Sequence, residues 1–282
     1  MAGIYIHIPF CASKCVYCGF YSVVSTAHRE EYLSALAQEM ALRQDYLGSA
    51  DIHSVYFGGG TPTLLSAHEL SNLLECLHRY GAIASDAEIT LEGNPEQLTD
   101  SYCRSLYALG INRLSIGIQS FHDHVLRFMG RRHSTAEAIE AVHHAAAAGF
   151  SNLSIDLIYG VSERSDAQWA DELQQLLALP ITHFSAYALT PEENSLLYKQ
   201  IRHGRHAPID DEMAARQYQL LTIFAREHGF VHYEVSNFCR HGYPSRHNSA
   251  YWEGTPYLGL GAAAHSFNGT SRQWNANNIA QY

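Results

Sequence analysis

An open, partial parallel β/α barrel of about six strands, followed by an appended C-terminal region, is the fold that the sequence predicts. Three observations predict it: short β-rich runs recur at wide spacing, helical periodicity fills the gaps between them, and polar or glycine-rich residues stand where the runs end. Strict β–α alternation favours parallel neighbours, because parallel strands need crossovers and those crossovers are nearly always right-handed. At 282 residues one such barrel accounts for the chain as naturally as two average domains.

Taken in order, the strands are expected at 3–8, 52–57, 87–92, 112–117, 152–159 and 182–187. Helices are expected between them at 30–46, 67–80, 101–108, 135–148 and 167–177, the second of these capped by Ser66. Gly58-Gly59-Gly60-Thr61, Glu92, Gln119 and Asp156 close four of the strands, and C-terminal strand ends are where such folds place their chemistry. After Pro191 the pattern changes to a helix at 211–228, a β-like run through Tyr233 and a glycine-rich, aromatic tail. Residues 1–190 are therefore read as the barrel and 191–282 as the appended region.

Apolar residues make up 46% of the chain, and none of its runs approaches the eighteen or so needed to span a bilayer. The Met1-Ala2-Gly3 start leads directly into Ile4-Tyr5-Ile6 without a basic n-region or cleavage site, so a cytosolic location is expected. A formal net charge of -10 disfavours nucleic acid and direct contact with anionic lipid.

Three of the six cysteines fall within eight residues, as Cys11-x3-Cys15-x2-Cys18, whereas Cys76, Cys103 and Cys239 are scattered. A disulfide framework would be spaced differently, and the isolated three read as small buried hydrophobes. Electron-transfer clusters are held by four cysteines as a rule, so a compact set of three implies an iron left open for another ligand. A zinc site would need a fourth Cys or His; His7 is close in sequence, and strand alternation alone does not exclude it. Gly58-Gly59-Gly60-Thr61-Pro62-Thr63 reads either as a tight turn before a helix or as a backbone that approaches a ligand closely.

Cys-x3-Cys-x2-Cys after an N-terminal strand, with an aromatic residue before the last cysteine, resembles the radical S-adenosylmethionine (SAM) superfamily. The resemblance implies a [4Fe-4S] cluster on Cys11, Cys15 and Cys18, an open iron that chelates SAM, and a radical SAM type of barrel. Tyr5-Ile6-His7-Ile8-Pro9-Phe10-Cys11, Gly58-Gly59-Gly60-Thr61-Pro62-Thr63, Glu92-Gly93-Asn94-Pro95 and Ser115-Ile116-Gly117-Ile118-Gln119-Ser120-Phe121 resemble the oxygen-independent coproporphyrinogen III oxidase family. By position in those motifs the resemblance implies SAM contacts from Tyr5, Gly59 and Glu92. It implies a second SAM-binding set from Tyr17, Gly60, Thr61, Gln119, Arg131 and Asp156.

Within that family, Cys18-Gly19-Phe20-Tyr21-Ser22 and His247-Asn248-Ser249-Ala250-Tyr251-Trp252 are similar to the heme chaperone, HemW-like branch. The oxidases carry a further cysteine where this chain has Phe20, and an extra segment ahead of the first barrel strand. The branch resemblance implies heme as cargo, delivery to respiratory hemoproteins of the membrane and an electron donor for the cluster; it leaves a homodimer open. It also implies that the region after 191 is the start of a longer C-terminal domain. His247, beside aromatic residues, is the candidate heme ligand. Oxidative decarboxylation of coproporphyrinogen III is the competing expectation.

Overall fold

The computed structural model describes all 282 residues, the side chain of Tyr80 apart. Six parallel strands form its centre: β1 (Ala2–Ile8), β2 (Ile52–Gly59), β3 (Ile83–Gly93), β4 (Arg113–Gln119), β5 (Asn152–Tyr159) and β6 (His183–Ala188). Each of the six was expected from the sequence within a few residues. The helices joining them are α1 (Arg29–Leu42), α2 (Ala67–Tyr80), α3 (Asp100–Ala108), the short α4 (Asp123–Phe128), α5 (Thr135–Ala147) and α6 (Asp166–Leu176). Ser66 caps α2 through a reciprocal capping box with Glu69, and Ser134 and Ser165 do the same for α5 and α6. Helix α1 ends at Leu42, four residues before the predicted stop, and a turn that closes on Gly48 at φ +60° follows it.

Beyond β6 come α7 (Leu196–Arg202), α8 (Asp211–Glu227), β7 (Val231–Glu234), β8 (Asn237–Cys239), α9 (Arg246–Trp252), β9 (Tyr257–Leu260), β10 (His265–Phe267) and β11 (Arg272–Trp274). These strands extend the barrel sheet on both edges, in the order β11-β10-β9-β1-β2-β3-β4-β5-β6-β8-β7. β9 runs parallel to β1 and β8 antiparallel to β6, and the sheet does not close. Among the described residues no helix is long and apolar enough to cross a membrane.

Alternation along the strands sorts the side chains into two layers. Ile4, Ile6, Ile8, Phe57, Leu91, Ile116, Leu153 and Ile155 share one buried cluster with Leu36, Leu73, Leu106, Val142 and Trp169 of the helices. The intervening residues face the barrel interior and are largely polar. There Ser54 meets His247 at 2.9 Å, Tyr56 donates to Glu92 at 2.7 Å, Ser115 donates to Asp156 at 3.2 Å and Ser154 meets His183 at 2.7 Å. Helix α9 sits at the strand starts: the Arg246 and His247 amides donate to Glu88 at 3.0 and 3.4 Å. The strand ends are thus left to the cysteine loop.

A buried ion pair fastens two of those ends. Arg164 reaches Glu172 of α6 and donates to the Ile158 carbonyl at 2.9 Å, with its guanidinium over the Trp169 ring. Glu172 also accepts from Ser120 and, at 3.0 Å, from the Phe121 amide. Arg164→Met leaves this carboxylate buried without its cation, so urea unfolding should show about 3–5 kcal/mol less stability. The double variant Arg164→Met with Glu172→Leu removes the stranded charge and should recover most of that loss.

Candidate functional site

The cysteine loop leaves β1 at Ile8 and returns at Val23, where Val23 donates to the Pro9 carbonyl at 2.8 Å and Cys11 donates to the Val23 carbonyl at 2.9 Å. Its far side is pinned at Val16, whose amide donates to Met129 and whose carbonyl accepts from Leu197. On its near side the glycine turn after β2 is pressed against it: Gly60 donates to the Ile8 carbonyl and Thr61 to the Phe10 carbonyl, both at 2.8 Å. A Cβ on Gly60 would lie 2.7 Å from the Phe10 oxygen, and one on Gly59, at φ +112°, 2.5 Å from the His7 ring. Glycine is therefore required at both positions.

This clamp opens a cavity of about 440 Å³ at the strand ends, walled by Cys11, Cys15 and Cys18 on one side. Tyr17, Gly59, Gly60, Thr61, Glu92, Gln119, Arg131 and Asp156, all expected from the sequence motifs, line the same cavity. Tyr5 lies deeper in the barrel, stacked on Tyr56, with its hydroxyl 3.1 Å from His7 Nδ1. His7 donates from Nε2 to the Tyr21 carbonyl at 2.9 Å, so Nδ1 accepts from Tyr5 and neither nitrogen is offered to a metal; burial pushes its pKa down. His247 is 3% exposed at the opposite end of the barrel, with Nδ1 bonded to Ser54 and Nε2 bonded to Tyr251 at 3.0 Å. Burial holds it down to about 3, so the buried ring is neutral and both of its nitrogens are engaged within the barrel.

Asn94, to which the sequence alone assigns no role, links the site. Its amide donates to Thr61 Oγ1 at 3.2 Å, and its oxygen accepts from Arg131 at 2.6 Å. Arg131 also donates to the Gly117 carbonyl at 2.6 Å and to Cys15 Sγ at 3.4 Å, while Thr61 Oγ1 donates to Cys11 Sγ at 3.7 Å. Two of the three sulfurs thus have donors directed at them. Gln119, at φ +73°, is held in that conformation by its neighbours: His133 bonds the Ile118 carbonyl at 3.0 Å and Glu172 secures Ser120.

Three thiols on one wall, with hydrogen-bond donors aimed at two of them and glycine backbone alongside, fit a [4Fe-4S] cluster held as thiolates. Burial raises the Cys11 and Cys18 thiols, and the Thr61 hydroxyl acts against this at Cys11, so metallation of these sulfurs releases protons. Opposite the thiols, two carboxylates stand ready for cationic or hydroxyl groups. Glu92 is pushed up to about 7, chiefly by burial and partly offset by the Tyr56 hydrogen bond; Asp156 is raised by burial, offset by neighbouring hydroxyls and Arg113. Such a cavity suits SAM, whose ammonium and ribose hydroxyls need acceptors and whose carboxylate needs a cation such as Arg131.

The raised Glu92 carboxyl has a signed consequence. Between about pH 4.5 and 7 the folded protein keeps a proton that the unfolded chain has released, so the Glu92 contribution to stability falls as pH rises through that window. Denaturant titrations of wild type and Glu92→Gln across it should show the wild type losing stability relative to the variant; a constant difference would refute the assignment.

The sequence profile of the Radical SAM superfamily matches residues 5–176. The chain is 36% identical over 284 residues to the heme chaperone HemW of Mycobacterium tuberculosis, an alignment covering 99% of this chain and 73% of that protein. It is 35% identical over 285 residues to the heme chaperone HemW of Bacillus subtilis, covering 100% and 75% of the two. Among solved structures, the coproporphyrinogen III oxidase HemN of Escherichia coli, a radical SAM enzyme, superposes with a TM-score of 0.85 at 27% identity, covering 100% of this chain and 68% of that one.

Proposed function

This chain belongs to the radical SAM superfamily and, within it, to the HemW family of heme chaperones, and from that premise we propose that it binds heme and hands it to respiratory hemoproteins. The observation that carries the reading is the similarity over nearly its whole length to several proteins named heme chaperone HemW. At the site, Phe20 supports it. The side chain stands 71% exposed at the cavity mouth, two residues past the last cluster cysteine, where it offers an apolar face.

In this reading Cys11, Cys15 and Cys18 hold the cluster, which supplies one-electron chemistry and an open iron when bound. Arg131 and Thr61 stabilise the thiolates at Cys15 and Cys11. Glu92 and Asp156 accept from SAM, and the Gly59-Gly60 backbone lets it approach. We read His247 as a residue of the barrel floor and not as the heme ligand, since both nitrogens of its ring are engaged there.

The second reading, oxidative decarboxylation of coproporphyrinogen III, draws on the superposition with HemN. One anaerobic experiment separates the two: cluster-reconstituted protein with SAM and a reductant is given coproporphyrinogen III in one arm and heme in the other. Saturable heme binding by Soret absorbance, with no carboxyl loss by mass spectrometry, is the expected result. Stepwise loss of two carboxyl groups would replace the chaperone reading. His247→Ala should lower stability in the same preparation and leave the heme dissociation constant within about twofold.

A further inference from the structure

All 28 acidic residues of this chain lie outside three segments, 1–29, 124–136 and 194–209. The fold brings these three together. The cysteine loop is in the first, and its Val16 bonds to Met129 in the second at 3.2 Å and to Leu197 in the third at 2.8 Å. Val125, Met129 and Leu197 share a buried cluster against which Tyr17, Phe128 and Ile201 pack, and the Phe128 ring meets His206 edge-on. The outer surface of the three segments presents Lys14, Arg127, Arg132, Lys199, Arg202 and Arg205, all exposed. Glu163, Glu192 and Glu193 border this face, and Glu163 is drawn to His206 at 3.8 Å. A chain of net charge -10 thus carries a cationic collar around the loop that holds its cluster cysteines.

We propose that this collar is the docking surface for an acidic one-electron carrier protein, of the flavin or iron–sulfur class, that reduces the cluster. The inference rests on the cluster assignment above. An electron has to reach that cluster from outside, because Cys76, Cys103 and Cys239 lie apart on α2, α3 and β8 and form no second iron–sulfur site among the described residues. Elsewhere the protein's own negative charge repels an acidic carrier; at the collar attraction steers it and brings its redox group to the side of the loop. The transfer itself is balanced: the carrier loses one electron and the cluster gains it, with no bond made or broken.

The test compares cluster-reconstituted wild type with the triple variant Lys199→Glu, Arg202→Glu, Arg205→Glu, three exposed positions outside the cavity. Reduced flavodoxin, a small acidic flavoprotein, is mixed with each anaerobically, and the second-order rate of cluster bleaching is followed across ionic strength. Calorimetry measures the affinity of oxidised flavodoxin for each protein. The expected result is a wild-type rate that falls steeply with salt, a variant at least about tenfold slower at low salt with a flattened slope, and weaker flavodoxin binding. Arg127→Glu with Arg132→Glu, on the α4 side, should reproduce the loss. Dithionite should reduce both proteins alike; if it reduces neither, the cluster assignment fails and not the docking surface. Equal flavodoxin rates and affinities would overturn the proposal. So would a variant that loses binding only to phosphatidylglycerol vesicles, which would make the collar a membrane-facing surface.

Discussion

Two backbone hydrogen bonds, from Gly60 to the Ile8 carbonyl and from Thr61 to the Phe10 carbonyl, fix the geometry on which the rest of the site depends. They hold the turn after β2 against the exit of β1 so closely that no Cβ fits at position 60. From that contact the rest follows. Thr61 is brought to Cys11, Asn94 to Thr61, Arg131 to Asn94 and Cys15 to Arg131, so that one chain of polar contacts runs from the second strand end through the third and fourth back to the cysteine loop. Each link is a hydrogen bond between residues far apart in sequence, and each donor or acceptor would be costly to leave unpaired at this depth.

The barrel interior imposes the second constraint. A closed eight-stranded barrel fills its centre with branched apolar side chains, whereas this open sheet turns tyrosine, serine, histidine and carboxylate side chains inward. Those groups pair with one another across strands, and α9 closes the floor by donating two amides to Glu88. The two carboxylates at the top, Glu92 and Asp156, are raised by burial and keep lone pairs beyond those that Tyr56, Gly59 and Ser115 occupy, where a ligand can use them.

Much of this was legible in the chain because the relevant signals are local. Six strands could be placed because β-rich runs and helical periodicity alternate cleanly, and the three cysteines because metal chemistry restricts their spacing. Ser66 could be named as a cap because a serine stands directly before the helical period, and the structure adds Glu69 as the other half of a capping box. What escaped was non-local. Asn94 carries no signature of its own, since its role exists only when β3 and β4 are adjacent. The strands β8 to β11 are three or four residues long, too short for a period to register, and they owe their place to the edges of a sheet already formed. The surroundings of His247 were hidden for the same reason: within an otherwise accessible His-Asn-Ser-Ala-Tyr-Trp segment it alone is buried, against Ser54 of a strand distant in sequence.

The position of that histidine bears on how cargo and cofactor can coexist. A heme macrocycle is far larger than the contact between Ser54, Tyr56, Tyr251 and His247, and admitting it there would strip two hydrogen bonds and the stacked tyrosines from the floor. It would also separate the iron from the cysteine loop by the full depth of the barrel. The open face has neither difficulty. Its apolar rim at Phe20 and Leu196, both more than half exposed, offers a flat apolar plate a surface with no such bonds to break. An open rim thus costs the barrel no buried hydrogen bond, whereas the floor around His247 would have to give up two.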